Sequence, residues 1–132
     1  MHDRRAVRRA VVLIALVAIA VPVLRALRFP FVSRYVVEGT SMEPAFRSGD
    51  RVLVNRLAYR SRAPRAGEVV VLDDPERQGH VLLKRVAEAP DSFGATTANV
   101  YVLGDNTAES RDSRAFGTVA LGQILGKAWV KY

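Results

Sequence analysis

Fifteen consecutive residues without a charge, Ala10 to Leu24 (AVVLIALVAIAVPVL), set the first limit on how this chain can fold. Arg4, Arg5, Arg8 and Arg9 precede the run, and Arg25 and Arg28 close it. A helix that is apolar around its whole circumference has no face to offer water, so it belongs inside a core or a bilayer. As a helix the run spans about 22 Å, short of the roughly 30 Å hydrocarbon core. Ala6, Val7, Ala26 and Leu27 lengthen it, and flanking Arg side chains that snorkel to the headgroups complete a span. Pro22 is tolerated near the end of such a helix. A cleaved leader is the competing reading, since Ala18-Ile19-Ala20 fits a small-x-small cleavage site. Cutting there would leave only eight apolar residues, Ala10 to Val17, ahead of the site, which favours an uncleaved anchor. The expected organisation is a basic cytoplasmic N-terminus at 1–9, a transmembrane signal anchor at 10–28 and a body at 35–132. Four Arg before the run against three soon after it orient the body outside the cytoplasm.

Those Arg residues account for most of the charge. Of the net +7 on 132 residues, residues 1–34 contribute +6 from seven Arg and one Asp. The rest carries 13 Lys plus Arg against 12 Asp plus Glu, a net +1. A body this close to neutral disfavours a nucleic-acid partner. The absence of cysteine excludes a disulfide framework, a thiol nucleophile and a Cys-ligated zinc. With His2 and His80 the only histidines, neither a metal nor another cofactor is expected, and hydrolytic chemistry would proceed without His or Cys.

From Tyr35 the pattern changes to short β-like runs: YVVE (35–38), RVLVN (51–55), EVVVL (68–72), HVLLKRV (80–86), NVYVL (99–103) and roughly QILGKAWVKY (123–132). Turn residues separate them, among them Ser48-Gly49-Asp50, Asp73-Asp74-Pro75 and Pro90 to Gly94. This predicts a compact, mostly β domain with no long amphipathic helix.

Three polar features interrupt that framework. Gly39-Thr40-Ser41-Met42-Glu43-Pro44 follows a strand, where a tight loop can expose the Ser41 hydroxyl beside backbone N–H groups, as a nucleophile requires. Such a serine also serves as an ordinary turn or cap. Lys84 is one of only three lysines beside 17 arginines. Period-two alternation places it on one face with Leu82 and Val86, and Arg85 on the other. If that face is the core, desolvation lowers the amine's pKa and makes it a candidate general base. The alternative is a lysine snorkelling from an edge strand. The third feature, GDNTAESRDSRAFG (104–117), is either a solvated loop or one pinned by an Asp112–Arg114 ion pair with a serine hydroxyl reaching a functional amine.

In order along the chain, the anchor, VEGTSMEPAF (37–46), GDRVLVNR (49–56), VLLKRV (81–86) and GDN-x-x-x-S-x-D-S-R-x-x-G (104–117) resemble the type I signal peptidases, membrane-anchored Ser/Lys endopeptidases. The resemblance implies a β domain of the signal peptidase and LexA-like type, with a Ser/Lys peptidase catalytic domain at 35–132. It assigns Ser41 as nucleophile, Lys84 as general base and Ser110 as the hydroxyl that orients the amine. Asp112 and Arg114 become the pair holding the loop, with Asp105 and Asn106 leading into it, Ser113 beside them and Met42 packed next to the nucleophile. Gly39 departs from members that place a hydroxyl residue two positions before the nucleophile, leaving the Ser41 N–H as the main oxyanion donor. With 19 residues between Lys84 and Gly104, the chain also lacks the inserted second β domain of larger members. The implied partners are the lipid bilayer and exported precursors carrying signal peptides, cut in an extended conformation after small side chains. Other readings are a dedicated maturation protease of the same family with one substrate, and a non-catalytic envelope binding module. A LexA-type repressor would need a soluble DNA-binding helix pair, for which residues 10–24 are too uniformly apolar.

Overall fold

The computed structural model describes residues 4–28, 31–90 and 98–132. They form two units, Met1–Phe31 and Val32–Tyr132. The first three residues, including His2, and most of the turn expected at Pro90 to Gly94 lie outside the described residues.

In the first unit, α1 runs Arg4–Arg28, with Pro22 inside its C-terminal part. Every side chain from Arg5 to Arg25 is exposed. By length and composition, Arg5–Arg25 suffices to cross a membrane, and a helix apolar around its circumference fits a membrane-anchored protein.

The second unit is a single antiparallel sheet. Its strands are β1 (Val32–Val36), β2 (Arg51–Asn55), β3 (Val69–Asp73), β4 (Val81–Glu88), β5 (Asn99–Leu103), β6 (Val119–Ala120) and β7 (Ile124–Lys131). Their spatial order is β1-β2-β7-β3-β4-β5-β6. The mostly β expectation is met, and β2 and β5 fall where the apolar runs place them. β1 differs: it starts at Val32 and ends at Val36, because Ser33 and Arg34 pair with Val54 and Leu53 of β2 although neither is apolar. A partner strand supplies what local propensity does not. Two elements inside and after the polar 104–117 stretch were not foreseen, the one-turn helix α2 (Ser113–Phe116) and β6.

β3 explains the core. Val69 to Leu72 are all buried, as expected of an unbroken apolar run rather than an alternating one. Val70 and Leu72 join Val86, Val100, Val102 and Val119 on one face, while Val71 joins Val52 and Val54 on the other. Each such side chain contributes about 1.5–3 kcal/mol of transfer free energy. Lys84 pairs in register with Val70 of β3, so the sheet carries an amine into the first of these faces.

Candidate active site

Alternation along β4 buries Lys84 and Val86 while Arg85 points to the opposite face. β5 pairs with β4 only from Arg85 onward, yet Lys84 is 2% exposed, because it shares the core face of its β3 partner Val70 and meets the loop that bears Ser110. Its Nζ donates to Ser110 Oγ at 3.2 Å. Burial is the main cause that pulls the amine's pKa below the ordinary lysine value; Asp112 opposes this and Arg111 adds to it. The ammonium form loses hydration here that one hydroxyl partner does not restore.

Ser110 is itself held from the far side, its hydroxyl donating to Asp112 Oδ2 at 2.8 Å. Asp112 is fully buried. It also accepts the Gly104 N–H at 2.9 Å, and Arg114 grips both its oxygens through Nε at 2.9 Å and Nη2 at 3.0 Å. Burial alone would raise its pKa, but Arg114, the Gly104 N–H and Ser110 together hold it well below the usual carboxylate range. The anion's capacity is thus absorbed by these donors, which leaves Lys84 facing a hydroxyl instead of a free carboxylate. Ser113 accepts the Val102 N–H through its Oγ at 2.9 Å, and Arg114 reaches the Thr107 carbonyl at 2.8 Å. The 104–117 stretch is therefore an ordered loop.

The serine loop turns directly after β1. Glu43 N–H donates to Thr40 C=O and Phe46 N–H to Met42 C=O, at 3.1 and 2.9 Å. Gly39 has φ of 79°, a left-handed conformation that a side chain there would strain, which gives a physical reason for glycine two positions before Ser41. Met42 is fully buried beneath the loop. Asn106 ties the two loops together: its backbone N–H donates to Ser41 C=O at 2.9 Å and its Nδ2 to Thr40 C=O at 3.2 Å. Asp105 accepts a two-pronged ion pair from Arg85 at 2.8 Å on each oxygen, fixing the loop to the back of the strand that carries Lys84.

Ser41 and Lys84 line one cleft of about 320 Å³, together with Met42, Val52, Val71 and Leu83. Its walls are Tyr35 to Glu38, running off β1, and Gly79 to Lys84. β1 is the terminal strand of the sheet, and β5 pairs with β4 only from Arg85 onward. Two strand edges without a neighbour among the described residues therefore border the cleft. The residues named from sequence, Ser41, Met42, Lys84, Asp105, Asn106, Ser110, Asp112 and Arg114, converge on this cleft and the loop behind it.

The family model for signal peptidase, peptidase S26, matches residues 7–92 and 94–132, nearly the whole chain. The chain belongs to this family. It is a serine endopeptidase of the signal peptidase I type, which sets aside the non-catalytic binding module. It is 29% identical to signal peptidase I of Bacillus caldolyticus over 86% of each chain. It is 32% identical to mitochondrial inner membrane protease subunit 2 of Danio rerio over 85% of this chain and 69% of that one. A third relative, probable signal peptidase I-2 of Synechocystis, is 28% identical over 76% of this chain, which spans 62% of that protein's length.

Three site features escaped the sequence reading. Alternation places Arg85 only on the face away from Lys84, and its partnership with Asp105 needs the fold. Gly104 opens the 104–117 stretch with no role of its own in the motif, yet a Cβ there would fall 2.7 Å from Ser41 C=O and nearer still to Ser110 Oγ and Cβ. Arg111, between Ser110 and Asp112, pairs with Asp74 at the end of the β3 region. Gly104 had a signal, since glycine between a strand and a polar loop often marks a close backbone approach. The other two are contacts between residues 20 or more positions apart, with no local signature.

Proposed function

We propose that this protein removes N-terminal signal peptides from exported precursors with a Ser41/Lys84 dyad. The observation that carries the reading is a lysine 2% exposed whose amine is partnered by a hydroxyl, in the same cleft as a serine on a post-strand turn. Neutral Lys84 takes the Ser41 Oγ proton as the oxygen attacks the scissile carbonyl. The Ser41 N–H stabilises the oxyanion, without help from a side chain at position 39. Collapse gives the ester on Ser41 as the Lys84 ammonium protonates the departing amine. Lys84 then deprotonates water, which releases the signal peptide's carboxylate and restores Ser41. Ser110 holds the amine in line, while Asp112 and Arg114 hold Ser110.

The two bordering edges support docking of an extended precursor as an added strand. Buried Met42, Val52, Val71 and half-buried Leu83 form an apolar floor suited to small side chains. Residues 10–28 act as the signal anchor with 1–9 cytoplasmic and the catalytic domain, 35–132, outside. Confining enzyme and precursor to one bilayer raises their effective concentration.

Incubating the detergent-solubilised protein with a secretory precursor tests the dyad. Ser41→Ala and, separately, Lys84→Arg should each abolish cleavage while the fold is retained, and normal processing by either variant refutes it. A panel of unrelated precursors separates a general peptidase from a dedicated one.

A further inference from the structure

Arg111 sits between Ser110 and Asp112 but takes no part in their hydrogen bonds. Its guanidinium reaches away from the loop and bridges Asp74 and Glu76, with the Phe116 ring 5.7 Å from its centre. The Asp74 side chain is 1% exposed. This residue also organises the turn that leads into β4: Oδ1 accepts the Glu76 N–H at 2.9 Å, and its own N–H donates to His80 C=O at 2.9 Å. One ion pair thus joins the loop bearing Ser110 to the turn from which the Lys84 strand departs.

The charges that bear on Lys84 are Asp112 and Arg114 from the loop, Arg111 beside them, and Asp74 from the end of the β3 region. They form two ion pairs, Asp112–Arg114 and Asp74–Arg111, the second with the more exposed Glu76 on the far side of the guanidinium. A lone carboxylate near the amine would hold a proton on it, and a lone guanidinium would drive one off.

We propose that the Asp74–Arg111 pair is a positioning device for Lys84 and Ser110, fixing the loop to the β3–β4 turn and cancelling charge beside the amine. It rests on the dyad reading, and neither residue touches substrate. Asp74 and Arg111 act through opposite charges, so their removal has opposite consequences, which a purely structural pair would not show.

The test uses the full-length Ser41→Ala protein in detergent micelles, labelled with carbon-13 on its lysine side chains, of which there are only Lys84, Lys127 and Lys131. Arg111→Gln should move the Lys84 titration midpoint up and Asp74→Asn should move it down, each by about half to one pH unit. Arg111→Lys, which keeps the cation, should stay at the parent midpoint. In the Ser41-containing enzyme the acidic limb of kcat/KM should follow the same directions. Shifts of one sign in both variants, no shift in either, or a shift in Arg111→Lys as large as in Arg111→Gln overturn the proposal. An inactive Lys84→Arg with unmoved titrations removes this proposal alone, whereas cleavage by Lys84→Arg removes the dyad and the proposal together.

Discussion

Gly104→Ala adds one methyl group at the point where the two catalytic loops meet. Gly104 is buried and has a negative or extended backbone angle, so the effect comes from contact and not from torsional strain. The new carbon would lie 2.7 Å from the Ser41 carbonyl oxygen and closer still to the Ser110 side chain. Ser110 cannot retreat without giving up its 3.2 Å bond from Lys84 or its 2.8 Å bond to Asp112. Overpacking of this kind costs about 1–3 kcal/mol of stability, and each kcal/mol lowers the Tm of a domain this size by about 4–8 °C. A bond to an ionised partner is worth about 1.5–3 kcal/mol. If displaced Ser110 no longer orients the amine, kcat/KM should fall by about 10- to 100-fold. Two other glycines separate the causes. Gly122 has nothing within 4 Å of a would-be Cβ, so Gly122→Ala should be neutral. A Cβ at Gly126 would fall 2.5 Å from Asn55 C=O and 2.8 Å from Val54 Cγ1, away from the site, so Gly126→Ala should lower Tm with little change in kcat per folded molecule. The assay is precursor cleavage at several substrate concentrations beside thermal unfolding of the same samples. Gly104→Ala with parental kcat/KM, or with a loss no larger than that of Gly126→Ala at matched stability, would refute the reasoning.

Lys84→Met should abolish cleavage yet stabilise the domain by about 1 kcal/mol or more at neutral pH, because a buried amine is replaced by an apolar chain of similar length; a lower urea midpoint would contradict this. For the active protein, the acidic limb of kcat/KM should lie below the ordinary lysine pKa, since burial favours the neutral amine, and a limb at or above that value would argue against Lys84 as the base. Acid should unfold the domain through two carboxylates. Desolvation opposes ionisation of Glu68, but Arg62, the Arg65 N–H, Lys127 and Tyr59 bring its pKa down to about 2, and Asp112 is also depressed. Groups with lowered folded pKa values contribute stability that is full above about pH 4 and lost as the pH falls through the folded values. Urea midpoints at pH 7, 4 and 2.5 should therefore fall, and Glu68→Gln should flatten the slope between the lower two.

Much of the site was readable because its signals are local. Strand alternation alone put Lys84 on the face of Leu82 and Val86, and a turn after a strand singled out Ser41. What alternation could not say is whether that face is covered, since an edge strand shows the same pattern. The tertiary structure decides it: β3 pairs with Lys84 on one side, and the loop that bears Ser110 meets its amine, although β5 pairs with β4 only from Arg85 onward.

The sequence by itself determined an apolar helix with Arg at both ends, a nearly neutral β body and the residue types available for chemistry without His or Cys. Those properties depend on neighbours one to four positions apart. Only the tertiary structure decided that the last strand, β7, inserts between β2 and β3, that Asn106 fastens the serine loop to the Ser110 loop, and that Arg85 and Arg111 clamp it to β4 and to the turn before β4. Each of these joins residues more than 15 positions apart, where the free energy comes from pairing and burial that exist only after the chain has closed on itself. Lys84 lies on both sides of that division: its direction is set by the residues beside it, and its lowered affinity for a proton by the sheet that covers it.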